Sequence, residues 1–191
     1  MTPLTREQVR VSRRISMLLR HRPEQAGLTL DHNGWTPVAP LLVALGIDRA
    51  VLDVVVSGND KQRFVIEKGP DGVDRIRARQ GHSRRVAVDL DLPPAEPPVT
   101  LYHGTPATNL PSIRRDGLRA GSRHHVHLSP DVPTAVAVGR RRAADVAVLR
   151  VAAAEMAAAG HVFHRTDNGV WLTAVVPSGY LAGDRFTELA T

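Results

Sequence analysis

A chain of 191 residues with 42% hydrophobic and 23% charged side chains has the composition of a folded globular protein, which excludes fibrous readings and wholesale disorder. Its longest apolar run, Leu41 to Ile47, falls far short of the roughly 18 residues a membrane helix needs, and the N-terminus lacks a charged-then-apolar signal pattern, so a cytoplasmic protein without a membrane partner is expected. Lys and Arg total 25 against 19 Asp and Glu, a net charge of +6, and the absence of cysteine removes disulfides, thiolate zinc sites and thiol nucleophiles together.

Only Lys61 and Lys68 among the cations are lysines. Guanidinium forks match phosphate better than ammonium does, so the bias points to an anionic partner, although GC-rich coding would give the same skew.

In chain order, Thr5 with Gln8 three residues on is a capping-box start, and Val11, Ile15, Leu18 and Leu19 recur at helical spacing up to Arg20. Pro23 ends this helix nearby. A second short helix opens at Thr36-Pro37 and carries Leu41, Leu42 and Leu45 to Gly46; a third runs from Asp48 through Leu52 and Val55 to Gly58. Phe64 to Glu67 and Val73 to Ala78, flanking Gly69-Pro-Asp-Gly72, read as a hairpin, so helices followed by a two-stranded wing suggest a winged-helix lobe over residues 1–90.

The segment 91–98 places four prolines in eight residues, the composition of an extended, semi-rigid linker. Residues 1–90 hold 15 Lys/Arg against 10 Asp/Glu and residues 91–191 hold 10 against 9, so the positive charge is concentrated in the first lobe. The second lobe, 99–191, begins with a strand from Val99 to His103, then a helix from about Pro106 to Arg115 that stops at Gly117. A strand from His125 to Ser129, a helix near Asp131 to Ala143, and strands at Val146 to Val151, Val162 to His164 and Val170 to Val176 complete an α+β lobe, with Asn168-Gly169 supplying a tight turn.

Several residues could carry chemistry. In a strand, His125 and His127 project to one face and Val126 and Leu128 to the other; with no cysteine or nearby carboxylate the ligand set is incomplete, so no metal is expected. Arg20-His21 ends the first helix, where the dipole favours a cation, as a site or as a simple C-cap. Arg63 lies just before the wing and could equally be a solvated surface arginine, and Gln80-Gly-His-Ser83 could be an ordinary turn. His103-Gly104-Thr105 is expected where a strand gives way to a helix, a place where backbone amides and a glycine allow close approach of a phosphate, or where the chain merely turns. No Rossmann glycine fingerprint, Walker lysine loop, serine elbow or carboxylate pair is visible.

Seven short motifs occur in order: Leu18-Leu-Arg-His21, Asn33-Gly-Trp35 followed by Val38, Asn59-Asp-Lys-Gln-Arg-Phe64, Gln80-Gly-His-Ser83, Tyr102-His-Gly-Thr105, His125-Val-His-Leu-Ser129 and Asn168-Gly-Val-Trp-Leu172. Together they resemble the KptA-type RNA 2'-phosphotransferases from about residue 10 to about 182. The resemblance implies a winged-helix lobe joined to an ADP-ribosyltransferase-like lobe, with RNA 2'-phosphate and NAD+ meeting between them. It implies a catalytic set of Arg20, His21, Arg63 and Arg123, and an NAD+ site lined by His103, Gly104, Thr105, His127, Leu128, Ser129, Arg140 and Asn168. The neighbours Arg141 and Arg142 leave the register of Arg140 open. Arg79, before Gln80, departs from the smaller polar residue expected there.

The resemblance further implies NAD+ consumed as a co-substrate, a tRNA-like RNA bearing an internal 2'-phosphate, and a monomer. Two rivals are a winged-helix nucleic-acid binder with a ligand-sensing second lobe, and an ADP-ribosyltransferase with no phosphate-removing step. The first is weakened because Val51 to Val56 offers no cation for a groove. The second leaves Arg20 and His21 without a role.

Overall fold

Thr5 opens the first helix as its spacing predicts: its hydroxyl accepts from the Gln8 N–H while Gln8 Oε1 accepts from the Thr5 N–H. The computed structural model describes residues 4–58 and 62–182. The chain divides into two compact units, Met1–Asp91 and Leu92–Thr191, each mixing helices with antiparallel sheet in an α+β manner.

In the first unit, helix α1 (Arg6–Arg20) buries Ile15, Leu18 and Leu19. Strand β1 (Thr36–Pro37) leads into α2 (Val38–Leu45), and α3 (Arg49–Ser57) follows. Gly46 ends α2 at φ +64°, a left-handed conformation that suits glycine, and the Asp48 carboxylate caps α3 by accepting from the Val51 N–H. Strands β2 (Phe64–Lys68) and β3 (Asp74–Ala78) form the hairpin, and β1 joins its other edge in the order β1-β3-β2. Thr36-Pro37, expected to open the second helix, is extended and pairs with Ile76 and Arg75. Proline donates no N–H, so an edge position costs the ladder nothing. Ile15, Leu41, Leu52, Val55, Phe64 and Ile76 form the centre of this core.

The second unit runs β4 (Thr100–Pro106), α4 (Leu110–Asp116), β5 (Leu118–Arg119), β6 (Val126–Leu128), α5 (Val132–Gly139), β7 (Val146–Ala152) and α6 (Ala153–Ala158), then β8 (Phe163–Arg165), β9 (Trp171–Thr173), β10 (Val175–Val176) and β11 (Leu181–Ala182). Its sheets are ordered β11-β7-β4, β6-β9-β8 and β10-β5. Leu101, Val151, Met156, Phe163 and Trp171 pack between them.

Three expectations change. The strand foreseen over Val170–Val176 is two, because Trp171–Thr173 pairs with β6 and β8 while Val175–Val176 pairs with β5. Helix α6 was not foreseen; its alanines are strong helix formers and Met156 anchors it fully buried. The proline-rich segment is fastened to the second unit: the Ala95 N–H donates to the Phe163 carbonyl at 2.8 Å and His164 Nδ1 lies 2.7 Å from the Leu92 carbonyl.

Candidate active site

In the first unit, buried Leu18 and Leu19 fix the last turn of α1, and the next side chains, Arg20 and His21, emerge at its C-terminus. Arg20 is half-buried and His21 exposed. Gln80-Gly-His-Ser83 is no ordinary turn, because it seats Arg20: Arg20 Nη2 donates to Gln80 Oε1 at 3.3 Å, and the Arg20 carbonyl accepts from the Ser83 N–H at 2.9 Å. Gly81, at φ +88°, carries the chain past the guanidinium.

Buried His82 supports this seat against the Asn33-Gly34-Trp35 turn, where a Cβ on Gly34 would stand 3.3 Å from His82 Nε2. The Asp31 carboxylate shapes that turn by accepting from the N–H groups of Asn33 and Trp35, and the Arg77 guanidinium lies 4.6 Å from the Trp35 ring centroid.

Arg63 is half-buried beside the hairpin, where its carbonyl accepts from the Arg79 N–H at 2.9 Å. Arg63 and Arg20 are thus bound to successive residues, Arg79 through the Arg63 backbone and Gln80 through the Arg20 guanidinium, and His21 follows Arg20 at the helix end. Of the motif Asn59 to Phe64, residues 59–61 lie outside the described residues.

In the second unit the β4 and β6 backbones join the two larger sheets: the Tyr102 N–H donates to the Ser129 carbonyl at 2.9 Å and the Ser129 N–H to the Tyr102 carbonyl at 2.7 Å. This pairing brings the Tyr102-His-Gly-Thr105 and His125-Val-His-Leu-Ser129 motifs together. His103 Nδ1 sits 3.0 Å from the His127 carbonyl, and His127 Nδ1 sits 3.1 Å from the His125 carbonyl. Burial, opposed by that carbonyl but reinforced by Arg123 and Arg142, pushes the His103 imidazole below its ordinary pKa and keeps it neutral. A carbonyl only accepts, so Nδ1 carries the proton and Nε2 is left as an acceptor.

Arg123 is half-buried after the Ala120–Arg123 turn, and burial, then Arg142 and Arg141, lower its pKa. The arginines electrostatically close to this centre are therefore Arg142 and Arg141. Arg140 is exposed and closes α5 through its own N–H.

His103-Gly104-Thr105 does not sit at a strand-to-helix turn. The three are central in β4, paired with Leu149, Val148 and Ala147, and the helix starts only after Pro106 and a 3-10 turn. The space a side chain on Gly104 would need is filled by α5, since a Cβ there would lie 1.8 Å from the Ala135 carbonyl oxygen; the close approach that requires glycine is that of the helix. Thr105 is buried and accepts from Asn109 Nδ2. Leu128 is a core side chain, opposite His127 on the strand.

Asn168 is held at the Thr166–Gly169 turn, its Oδ1 accepting from Thr166 Oγ1 at 2.7 Å. The register Leu128–Trp171–Arg165 puts that turn at the end of the sheet where Ser129 leaves β6. Among the described residues no group of three His, Cys, Asp or Glu could hold a metal, and no helix is long and apolar enough to cross a membrane.

The sequence reading missed the seat on Gln80 and the proximity of Arg142. A polar residue two positions past a hairpin strand and a run of three arginines after a helix were the available signals.

The family model described as RNA 2'-phosphotransferase, Tpt1 / KptA family, matches residues 6–175. The chain is 56% identical over 185 residues to a probable RNA 2'-phosphotransferase of Streptomyces griseus, covering 92% of this chain and 96% of that protein. It is 53% identical to one of Streptomyces coelicolor, covering 91% and 93%, and 49% identical to one of Rhizobium leguminosarum bv. trifolii, covering 94% and 96%.

Proposed function

The chain belongs to the RNA 2'-phosphotransferase, Tpt1 / KptA family, a family of transferases, and from that premise we propose that it removes an internal 2'-phosphate from RNA and passes it to ADP-ribose drawn from NAD+. The three helices and hairpin support a winged-helix reading of the first unit; the paired antiparallel sheets support an ADP-ribosyltransferase-like reading of the second. A tRNA-like RNA bearing an internal 2'-phosphate is the substrate this reading proposes.

The observation that carries the reading is the seat of Arg20 on Gln80 and Ser83, with His21 next to it in the chain and Arg63 joined through its backbone to the adjoining Arg79. Forked guanidinium groups on a common support suit a dianionic phosphate. In the second unit, neutral His103 offers Nε2 to a ribose hydroxyl, and Arg142, whose charge acts on both His103 and Arg123, offers charge to a pyrophosphate. This donor set fits NAD+, which enters as a substrate and is consumed. Within Arg140 to Arg142, whose register the resemblance leaves open, we assign this contact to Arg142, whose charge acts on Arg123 more than that of Arg141 does.

In the first step, a 2'-phosphate oxygen forms a bond to C1'' of the nicotinamide ribose as the C–N bond breaks, and nicotinamide leaves with the electron pair. The phosphate is already anionic, so the step calls for orientation rather than a general base. In the second step the ribose 2''-hydroxyl attacks phosphorus. The bond to the RNA 2'-oxygen breaks, and the hydroxyl's proton is transferred so that the RNA leaves as a 2'-hydroxyl and ADP-ribose 1'',2''-cyclic phosphate forms. Charge builds on the phosphoryl oxygens, where Arg20 and Arg63 stabilise it. His21 carries the proton, and Arg123 completes the family's catalytic set.

The test is incubation with a short RNA carrying one internal 2'-phosphate, with and without NAD+. Release of nicotinamide and the cyclic phosphate only with NAD+ is expected. Phosphate loss without NAD+, or no loss at all, overturns the proposal.

A further inference from the structure

Helix α1 carries five arginines and a single acid, Glu7. At about 100° per residue, Arg6, Arg10, Arg13 and Arg20 fall within about 40° of one line, opposite the buried Ile15, Leu18 and Leu19. At about 1.5 Å per residue that line runs about 21 Å along the helix. Arg6, Arg10 and Arg13 are exposed. Arg14, just beside the line, is also exposed and donates to the Ala44 carbonyl.

Three other cations of the same unit, one in α3 and two in the hairpin, are ion-paired. Arg49 is bound to Asp53 at 2.8 Å and to Asp74, Lys68 to Asp74 at 3.3 Å, and Arg75 to Asp71 at 2.8 Å and Asp31 at 4.0 Å. Among the described residues Arg6, Arg10 and Arg13 have no carboxylate within ion-pair distance. Like charges three and four residues apart disfavour a helix, so α1 keeps its row at a cost that folding alone does not explain.

We infer that the exposed arginine face of α1 is the track for the RNA strand that continues from the 2'-phosphorylated nucleotide, with Arg6, Arg10 and Arg13 contacting successive backbone phosphates and Arg20 at its end. The inference rests on the proposed function. The row ends at Arg20, which the proposed function assigns to the 2'-phosphate, so the strand leaving that phosphate next meets Arg13, Arg10 and Arg6, which have no carboxylate within ion-pair distance among the described residues. Such contacts bind backbone without reading sequence. The surface therefore governs how well a long RNA competes with a short one and leaves the chemical step alone.

The experiment compares two substrates, a dinucleotide with one internal 2'-phosphate and a 20-nucleotide RNA with the same group at its centre. Each is tested with the wild-type chain, the Arg6→Gln/Arg10→Gln/Arg13→Gln variant and a charge-matched control, Arg119→Gln/Arg150→Gln/Arg165→Gln. For the wild type, kcat/KM for the long RNA exceeds that for the dinucleotide about tenfold at low salt. Removal of three phosphate contacts lowers the log–log salt slope by about 2 and erases that advantage. Dinucleotide turnover stays at the wild-type value, and the control keeps the advantage.

An α1 variant with an unchanged ratio of long to short substrate overturns the inference, as does a control that loses the advantage equally. Absence of wild-type turnover on the dinucleotide overturns the functional reading instead; anisotropy of a labelled 20-nucleotide RNA then decides the track by itself, through loss or retention of binding in the α1 variant.

Discussion

The two units hold their candidate residues in opposite ways. In the first, Arg20 and His21 stand at a helix end and Arg63 just outside a hairpin, tied by side-chain and loop contacts to residues 79–83. In the second, His103 and His127 stand within paired strands, and α5 presses on the same strand at Gly104. Under the proposed function, replacing a side chain at the first site is expected to remove activity and leave the fold intact, whereas the second site shares its geometry with the stability of its sheet.

The largest effect expected from that contrast is chemical. Arg63→Ala lowers the rate on a 2'-phosphorylated RNA by about 10²–10³, or about 2.7–4 kcal/mol of transition-state stabilisation, as for a lost oxyanion donor, with an unchanged unfolding midpoint. His21→Ala in the same assay slows the second step more than the first, so ADP-ribosylated RNA accumulates after nicotinamide is released. An unfolding transition displaced by Arg63→Ala breaks the contrast.

Next comes Gly104→Ala, whose Cβ meets the Ala135 carbonyl. It costs about 3 kcal/mol through overpacking, read as a lower midpoint in denaturant. Full stability would mean that α5 does not cross the strand there.

A smaller loss follows from Gln80→Ala, which removes the bond to the Arg20 guanidinium. About 1.5 kcal/mol, or about tenfold in kcat/KM for the RNA, is expected, with NAD+ affinity unchanged.

The subtlest effect is pH dependence. The folded chain keeps His103 neutral where the unfolded chain would protonate it, so the unfolded state binds the extra proton. Stability is complete above the ordinary imidazole range, about pH 6.5, and falls as the pH drops below it. Unfolding midpoints measured against pH should show a shallower acid-side slope in His103→Asn than in the wild type.

Local signals were the readable part of this fold. The Thr5–Gln8 box, Gly46, Asp48 and the hairpin turn each act within four residues, and each stands where its spacing places it. Long-range pairing was not readable: the Tyr102–Ser129 bridge, the joining of Thr36-Pro37 to β3 and the switch of Val175–Val176 to β5 depend on partners tens of residues away. The site shows the same division. The motif residues could be named from the sequence, but the contact of Gln80 with Arg20 and the nearness of Arg142 to Arg123 follow from tertiary packing.

The central claim is that the first unit serves the RNA phosphate and the second serves NAD+. Calorimetric titration with NAD+ tests it most directly, on Arg20→Ala/Arg63→Ala and on Arg142→Ala. Wild-type affinity in the former and at least tenfold weaker binding in the latter is the expected outcome; the reverse pattern would contradict the claim.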